Sequence, residues 1–94
     1  MDDRTLLSKA AKAAGEWSDK EPLQHIINRW NPLTDDGDAL RLAVKLGITI
    51  DMHLERVRAY ADELPKTAEE FFGTDPYAAT RRAITRAAAA LEGE

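Results

Sequence analysis

The hydrophobic period of this chain changes at Gly47. Ahead of that glycine the run WNPLTDDGDALRLAVKLG, residues 30–47, carries its apolar side chains at helical spacing; behind it Ile48, Ile50, Met52 and Leu54 alternate strictly with Thr49, Asp51, His53 and Glu55. Spacings of three and four gather side chains on one side of a helix, whereas a spacing of two gathers them on one face of a strand. A chain that carries both patterns back to back is read as α+β. The expected architecture is a single small domain of helices packed on a short antiparallel β-hairpin or small sheet.

The unit that ends at Gly47 is punctuated throughout. Asn31 and Pro32 interrupt whatever precedes them, because proline disfavours the helical conformation in the residue before it. Thr34, Asp35 and Asp36 are cap candidates and Asp38 adds an acid to the first helical turn. The expected buried stripe is Leu40, Ala43 and Val44, with Leu46 or Leu42 beside it, and Gly47 closes the helix.

Residues 2–14 read as a first helix, with Leu6, Leu7, Ala10, Ala11 and Ala14 at helical spacing and Gly15 as its cap. Pro22 suits the first position of a short helix carrying Leu23, Ile26, Ile27 and Trp30. After residues 48–54, Val57, Ala59 and Ala61 continue as a second strand beyond a tight turn. Yet Leu54, Val57, Ala61 and Leu64 also fit a helix, and no Asn-Gly pair marks a hairpin, so a nearly all-α domain with residues 52–64 helical stays open. Thr67–Phe72 is read as one helical turn burying Phe71 or Phe72. Asp75-Pro76 then opens a last helix reaching about Leu91, with Tyr77, Ile84, Ala87, Ala88 and Leu91 along one side. Nothing repeats, and no linker divides residues 1–94.

Of the hydrophobic residues, which make up 44% of the 94, 16 are alanines, so the core is thin. Such a core suffices where alanines let helices approach closely, or where a second subunit completes an apolar face; a homodimer is therefore expected as a partner state. The absence of cysteine excludes disulfide scaffolds and thiolate metal sites. The longest apolar run, Ala87–Leu91, is far short of a membrane span, and the acidic MDDR start does not resemble a leader, so the expected compartment is the cytoplasm. A net charge of −4, with 13 basic residues interspersed among 17 acidic ones, offers neither a basic footprint for nucleic acid nor a DNA-like acidic run.

Two blocks, WNPLTDDGDALRLAVKLG at 30–47 and DPYAATRRAITRAAAAL at 75–91, resemble parts of uncharacterised small phage and prophage proteins. These are related to the phage ABA sandwich group and, more loosely, to the ninX type. The resemblance implies a small α+β domain with a short antiparallel sheet layered against helices, and it carries over no catalytic residue. Between the blocks the relatives have a longer, more hairpin-like segment, where this chain has only ITIDMHLERVRAYADELP.

The acids Asp35, Asp36 and Asp38 lack the ligand spacing of a calcium loop, and helix capping accounts for them. Arg81, Arg82 and Arg86 fall on the last helix, and Arg56 and Arg58 are placed to join them; a cluster of this kind holds a phosphate or an acidic partner, or is neutralised by Glu69, Glu70 and their neighbours. His25 and His53 are single and make no metal pattern. Trp17, in a polar segment, is the aromatic best placed to anchor an interface, whereas Trp30 is read as packing. No catalytic, metal or cofactor signature emerges. The expected function is that of a phage accessory protein acting without catalysis by binding a host protein or complex, to counteract a defence or regulatory system. The alternative is a binder or sponge of a phosphorylated small molecule, such as a signalling nucleotide, held by the arginines.

Overall fold

The computed structural model describes residues 2–17, 20–61 and 67–92. Its elements follow in the order α1 (Asp3–Ala13), α2 (Leu23–Arg29), α3 (Asp36–Leu46), β1 (Ile48–Met52), β2 (Arg56–Ala61), β3 (Ala68–Phe71) and α4 (Pro76–Leu91). The fold is α+β. Its three strands form one antiparallel sheet in the order β1-β2-β3.

Helices α1, α3 and α4 each begin where the sequence supplies a side-chain acceptor for the free N–H groups. Asp2 accepts from Thr5 N–H at 2.8 Å, Asp35 from Asp38 N–H at 2.8 Å, and Asp75 from the N–H groups of Tyr77 and Ala78, with Pro76 filling the first turn of α4. The α2 start differs from expectation. Pro22 precedes the helix rather than opening it: its ψ of 140° is extended, and its carbonyl accepts from His25 N–H at 3.0 Å. Helix α3 ends at Gly47, whose φ of 67° lies in the left-handed region that a side chain disfavours; its N–H caps the Ala43 and Val44 carbonyls.

Strands β1 and β2 form the hairpin that the alternation suggested, and residues 56–61 are strand, not helix. Leu64, needed by the all-α alternative, lies outside the described residues. Among the described residues no non-glycine has a positive φ, so the two-residue turn at Leu54 and Glu55, closed by His53 N–H on the Arg56 carbonyl, is not of the mirror-image type that demands Asn-Gly. That is why no Asn-Gly flagged it. Residues 68–71 are also strand rather than a helical turn. They pair with β2 through Ala59↔Ala68, Arg58↔Glu69, Val57↔Glu70 and Arg56↔Phe71, and this cross-strand pairing decides a segment whose own pattern is ambiguous. Phe71 is consequently exposed, whereas Phe72 packs against the core.

The inner face of the sheet presents Ile48 and Ile50, then Val57, Ala59 and Ala61, then Ala68. Helix α4 lies across β2 and β3 on this face and takes α1 and α3 against its other sides. The side of α4 that makes these contacts is built from Ala79, Ala83, Ile84, Thr85, Ala87, Ala88 and Ala89, and the short side chains allow backbones on several sides to come close. Thr85 is wholly buried and satisfies its hydroxyl on the Arg81 carbonyl at 2.8 Å.

The buried face of α3 is only partly the expected one. Ala43 and Leu42 face the core as read, with Ala39 beside them, but Leu40 is 60% and Val44 74% exposed. Alanines at 39 and 43 bring α3 close to α4; turning Leu40 and Val44 inward would hold the two helices apart. Tyr77, also expected on the buried side of α4, projects into solvent. No helix among the described residues is long and apolar enough to cross a membrane.

Candidate interaction surfaces

The arginines do not form one cluster. Arg56 and Arg58 stand on the outer face of the sheet, where Nε of each lies near Glu69 Oε2, at 3.3 and 3.0 Å. The Arg58 contact is a hydrogen bond; the buried Arg56 Nε is near enough for an ion pair but is not hydrogen-bonded. Arg82 and Arg86 approach from α4 on the inner side. Arg86 donates to the Glu70 carboxylate and to the Glu69 carbonyl, while Arg82 bonds Asp3 at 3.0 Å with Glu70 at 4.0 Å. Consecutive residues of a strand face opposite ways, so Glu69 and Glu70 divide the arginines between two faces. The expected joining of Arg56 and Arg58 to the α4 group is thereby overturned.

Arg81 points elsewhere. Its Nε donates to the Leu33 carbonyl at 2.9 Å and its Nη1 to Asp36 at 2.7 Å, tying α4 to the loop before α3. Each of the five arginines therefore already faces a carboxylate of its own chain. A bound phosphate would have to displace one.

The acids ahead of α3 are engaged in the same way. Asp35 caps the helix, Asp36 meets Arg81, and Asp38 accepts from Asn31 N–H at 2.9 Å and from Arg41 at 2.7 Å. Among the described residues no group of three or more His, Asp or Glu side chains is arranged to hold a metal ion. His53 lies 3.3 Å from Asp51 beside the hairpin turn, and His25 lies on α2.

Trp17 is half-buried. Its indole N–H donates to the Glu21 carbonyl at 2.7 Å and Lys12 Nζ sits 4.9 Å from the ring centroid, so the ring is fixed in place with one face covered by a cation. The Glu21 carboxylate takes a forked pair of bonds from Arg29 at 3.1 and 3.2 Å; this hydrogen bonding holds its pKa below the ordinary carboxylate range and raises that of Arg29.

The surface feature that sequence reasoning missed is apolar. Leu40, Val44, Met52, Leu54, Phe71 and Tyr77 are all exposed, while most of the buried core is alanine. They occupy two places. A groove of about 340 Å³ between α3, β1 and the start of α4 is lined by Leu40, Ile50, Met52, Tyr77, Arg81 and Ile84 among others, and the exposed Val44 lies one turn beyond Leu40 on α3. At the hairpin end of the sheet, Leu54 in the turn is 97% exposed and Phe71 on the outer face 66%. The signal was present in the sequence: α3 has apolar residues at 39, 40, 42, 43, 44 and 46, more than one helix face can bury.

No family model matches the chain, and no curated protein or solved structure is significantly similar to it.

Proposed function

We propose that this chain is a phage or prophage accessory protein that works in the host cytoplasm without catalysis, binding a host protein or complex and so blunting a defence or regulatory system. The observation that carries the binding part is the inverted use of side chains: alanines are buried while six large apolar residues stand in solvent. Exposed apolar groups on that scale are the ordinary mark of a contact surface. The two blocks at 30–47 and 75–91 are the ground for the phage kinship. The hairpin end, where Leu54 and Phe71 project, is the surface assigned to the host partner. A protruding apolar tip fits a pocket on another protein, and with Leu54 in the turn and Phe71 on the outer face of β3 neither side chain is part of the core.

The experiment is affinity capture of tagged protein from bacterial hosts, alongside the Leu54→Asp/Phe71→Asp variant. A defined partner retained by the parent chain and lost from the variant is the expected result. Recovery of no partner across several hosts, or equal recovery with the variant, overturns the reading.

A further inference from the structure

We propose that the open edge of β1, with the exposed stripe of α3 above it, seats a second copy of this chain, the two β1 strands pairing antiparallel about a two-fold axis through Ile50. Among the described residues strand β1 has a neighbour on one side only. Because His53 N–H bonds the Arg56 carbonyl, the alternation of an antiparallel ladder turns the backbone groups of Asp51 and Thr49 toward β2 as well. It leaves those of Ile48, Ile50 and Met52 aimed at the free edge.

These three residues settle the register. Only even-numbered positions can bond across the new junction, and pairing them places both copies' helices on the same face of the joined sheet. With the axis through Ile50, Ile48 meets Met52 of the second copy and Ile50 meets its own counterpart, all apolar on the inner face, while Thr49 meets Asp51 on the outer face. All three edge positions are then used. A shift one way sets Asp51 against Asp51 of the second copy, like charge on like charge, and a shift the other way leaves Met52 unpaired. An open edge flanked by exposed apolar side chains is a surface that single chains usually blunt with charge, proline or a bulge; β1 has none of these on its inner face.

The same axis, perpendicular to the sheet, runs α3 antiparallel to its mate. Leu40 of one copy then lies against Val44 of the other, and the N-terminal end of each α3 meets the C-terminal end of its mate, the arrangement that opposed helix dipoles favour. The surface is self-complementary in hydrogen bonding, apolarity and helix-dipole sense, as a two-fold interface requires. It is distinct from the hairpin end assigned to the host partner, so either reading can fail without the other.

Sedimentation equilibrium of the intact chain, with amide hydrogen exchange, tests the proposal. The parent chain is expected to sediment as a dimer of the 10.5 kDa unit, with the Ile50 and Met52 amides protected. Leu40→Glu/Val44→Glu, which alters only side chains already in solvent, is expected to sediment as a monomer with unchanged circular dichroism and fast exchange at both amides. Leu54→Asp is expected to leave the dimer intact. A parent chain that is monomeric at the highest soluble concentration overturns the proposal. So does a dimer that survives Leu40→Glu/Val44→Glu, or one whose Ile50 and Met52 amides exchange as fast as in the monomeric variant.

Discussion

Arg81 holds the carbonyl of Leu33 at 2.9 Å across 48 residues of sequence, and the same guanidinium holds Asp36 at 2.7 Å. One mostly buried side chain thus fixes the loop before α3 to the middle of the domain. Truncation by Arg81→Ala leaves the Leu33 carbonyl without this donor, and is expected to cost about 1–3 kcal/mol in urea unfolding. Asp36→Asn, which removes only the exposed partner, is expected to cost well under half as much. Arg81→Lys restores the charge but cannot reproduce the fork, so it recovers only part of the loss.

The alanine side of α4 sets how closely the sheet, α1 and α3 approach it. Ala83 has no exposed surface, and Ala83→Leu is expected to destabilise the fold by about 1–3 kcal/mol through overpacking. Calorimetry should show a lowered Tm with little change in circular dichroism. Ala90, half-buried near the end of the helix, should accept the same change at a smaller loss.

Gly47 closes α3 with a φ of 67°. Space around it is open, since a Cβ there would meet nothing within 4 Å, so the penalty for Gly47→Ala is one of backbone conformation alone. Denaturant unfolding should show a loss of about 1–2 kcal/mol.

Acid sensitivity follows from two carboxylates. Asp2 is held below its usual pKa chiefly by the Thr5 backbone N–H, and Glu21 by hydrogen bonding to Arg29. A carboxylate whose pKa is lower in the folded state binds protons more readily when unfolded. Its contribution is therefore complete above the ordinary carboxylate range and disappears as pH falls through the depressed folded value. Melting temperatures followed from neutral pH into acid should fall less steeply for Asp2→Asn/Glu21→Gln than for the parent chain. Identical slopes would remove these two groups from the account.

Local chemistry made the helix boundaries legible. Asp2, Asp35, Asp75-Pro76 and Gly47 each act through neighbours a few residues away, and each stands where the sequence places it. What the sequence hides is which of two apolar arcs faces inward. On α3 the larger residues Leu40 and Val44 look like the core side, yet closeness to α4 selects Ala39 and Ala43, a choice that belongs to the partner helix as much as to α3 itself. β3 shows the same limit: AEEF has no strand pattern of its own, and its pairing comes from Arg58 and Ala59 of β2, with Glu70 held from α4 by Arg86. The arginines were individually visible as candidates. Their division between Glu69 and Glu70 was not, because it follows from a strand assigned only by tertiary contact.

The packing of α1 against α4, pinned where Arg82 meets Asp3, also determines when this domain can exist during synthesis. Helix α1 leaves the ribosome first, but the surface that covers Leu6, Leu7 and Ala10 is not complete until α4 has followed it out. Until then the nascent chain trails an uncovered apolar helix. A translational pause at any point before the whole of α4 has cleared the ribosome would therefore lengthen its exposure to chaperones and proteases.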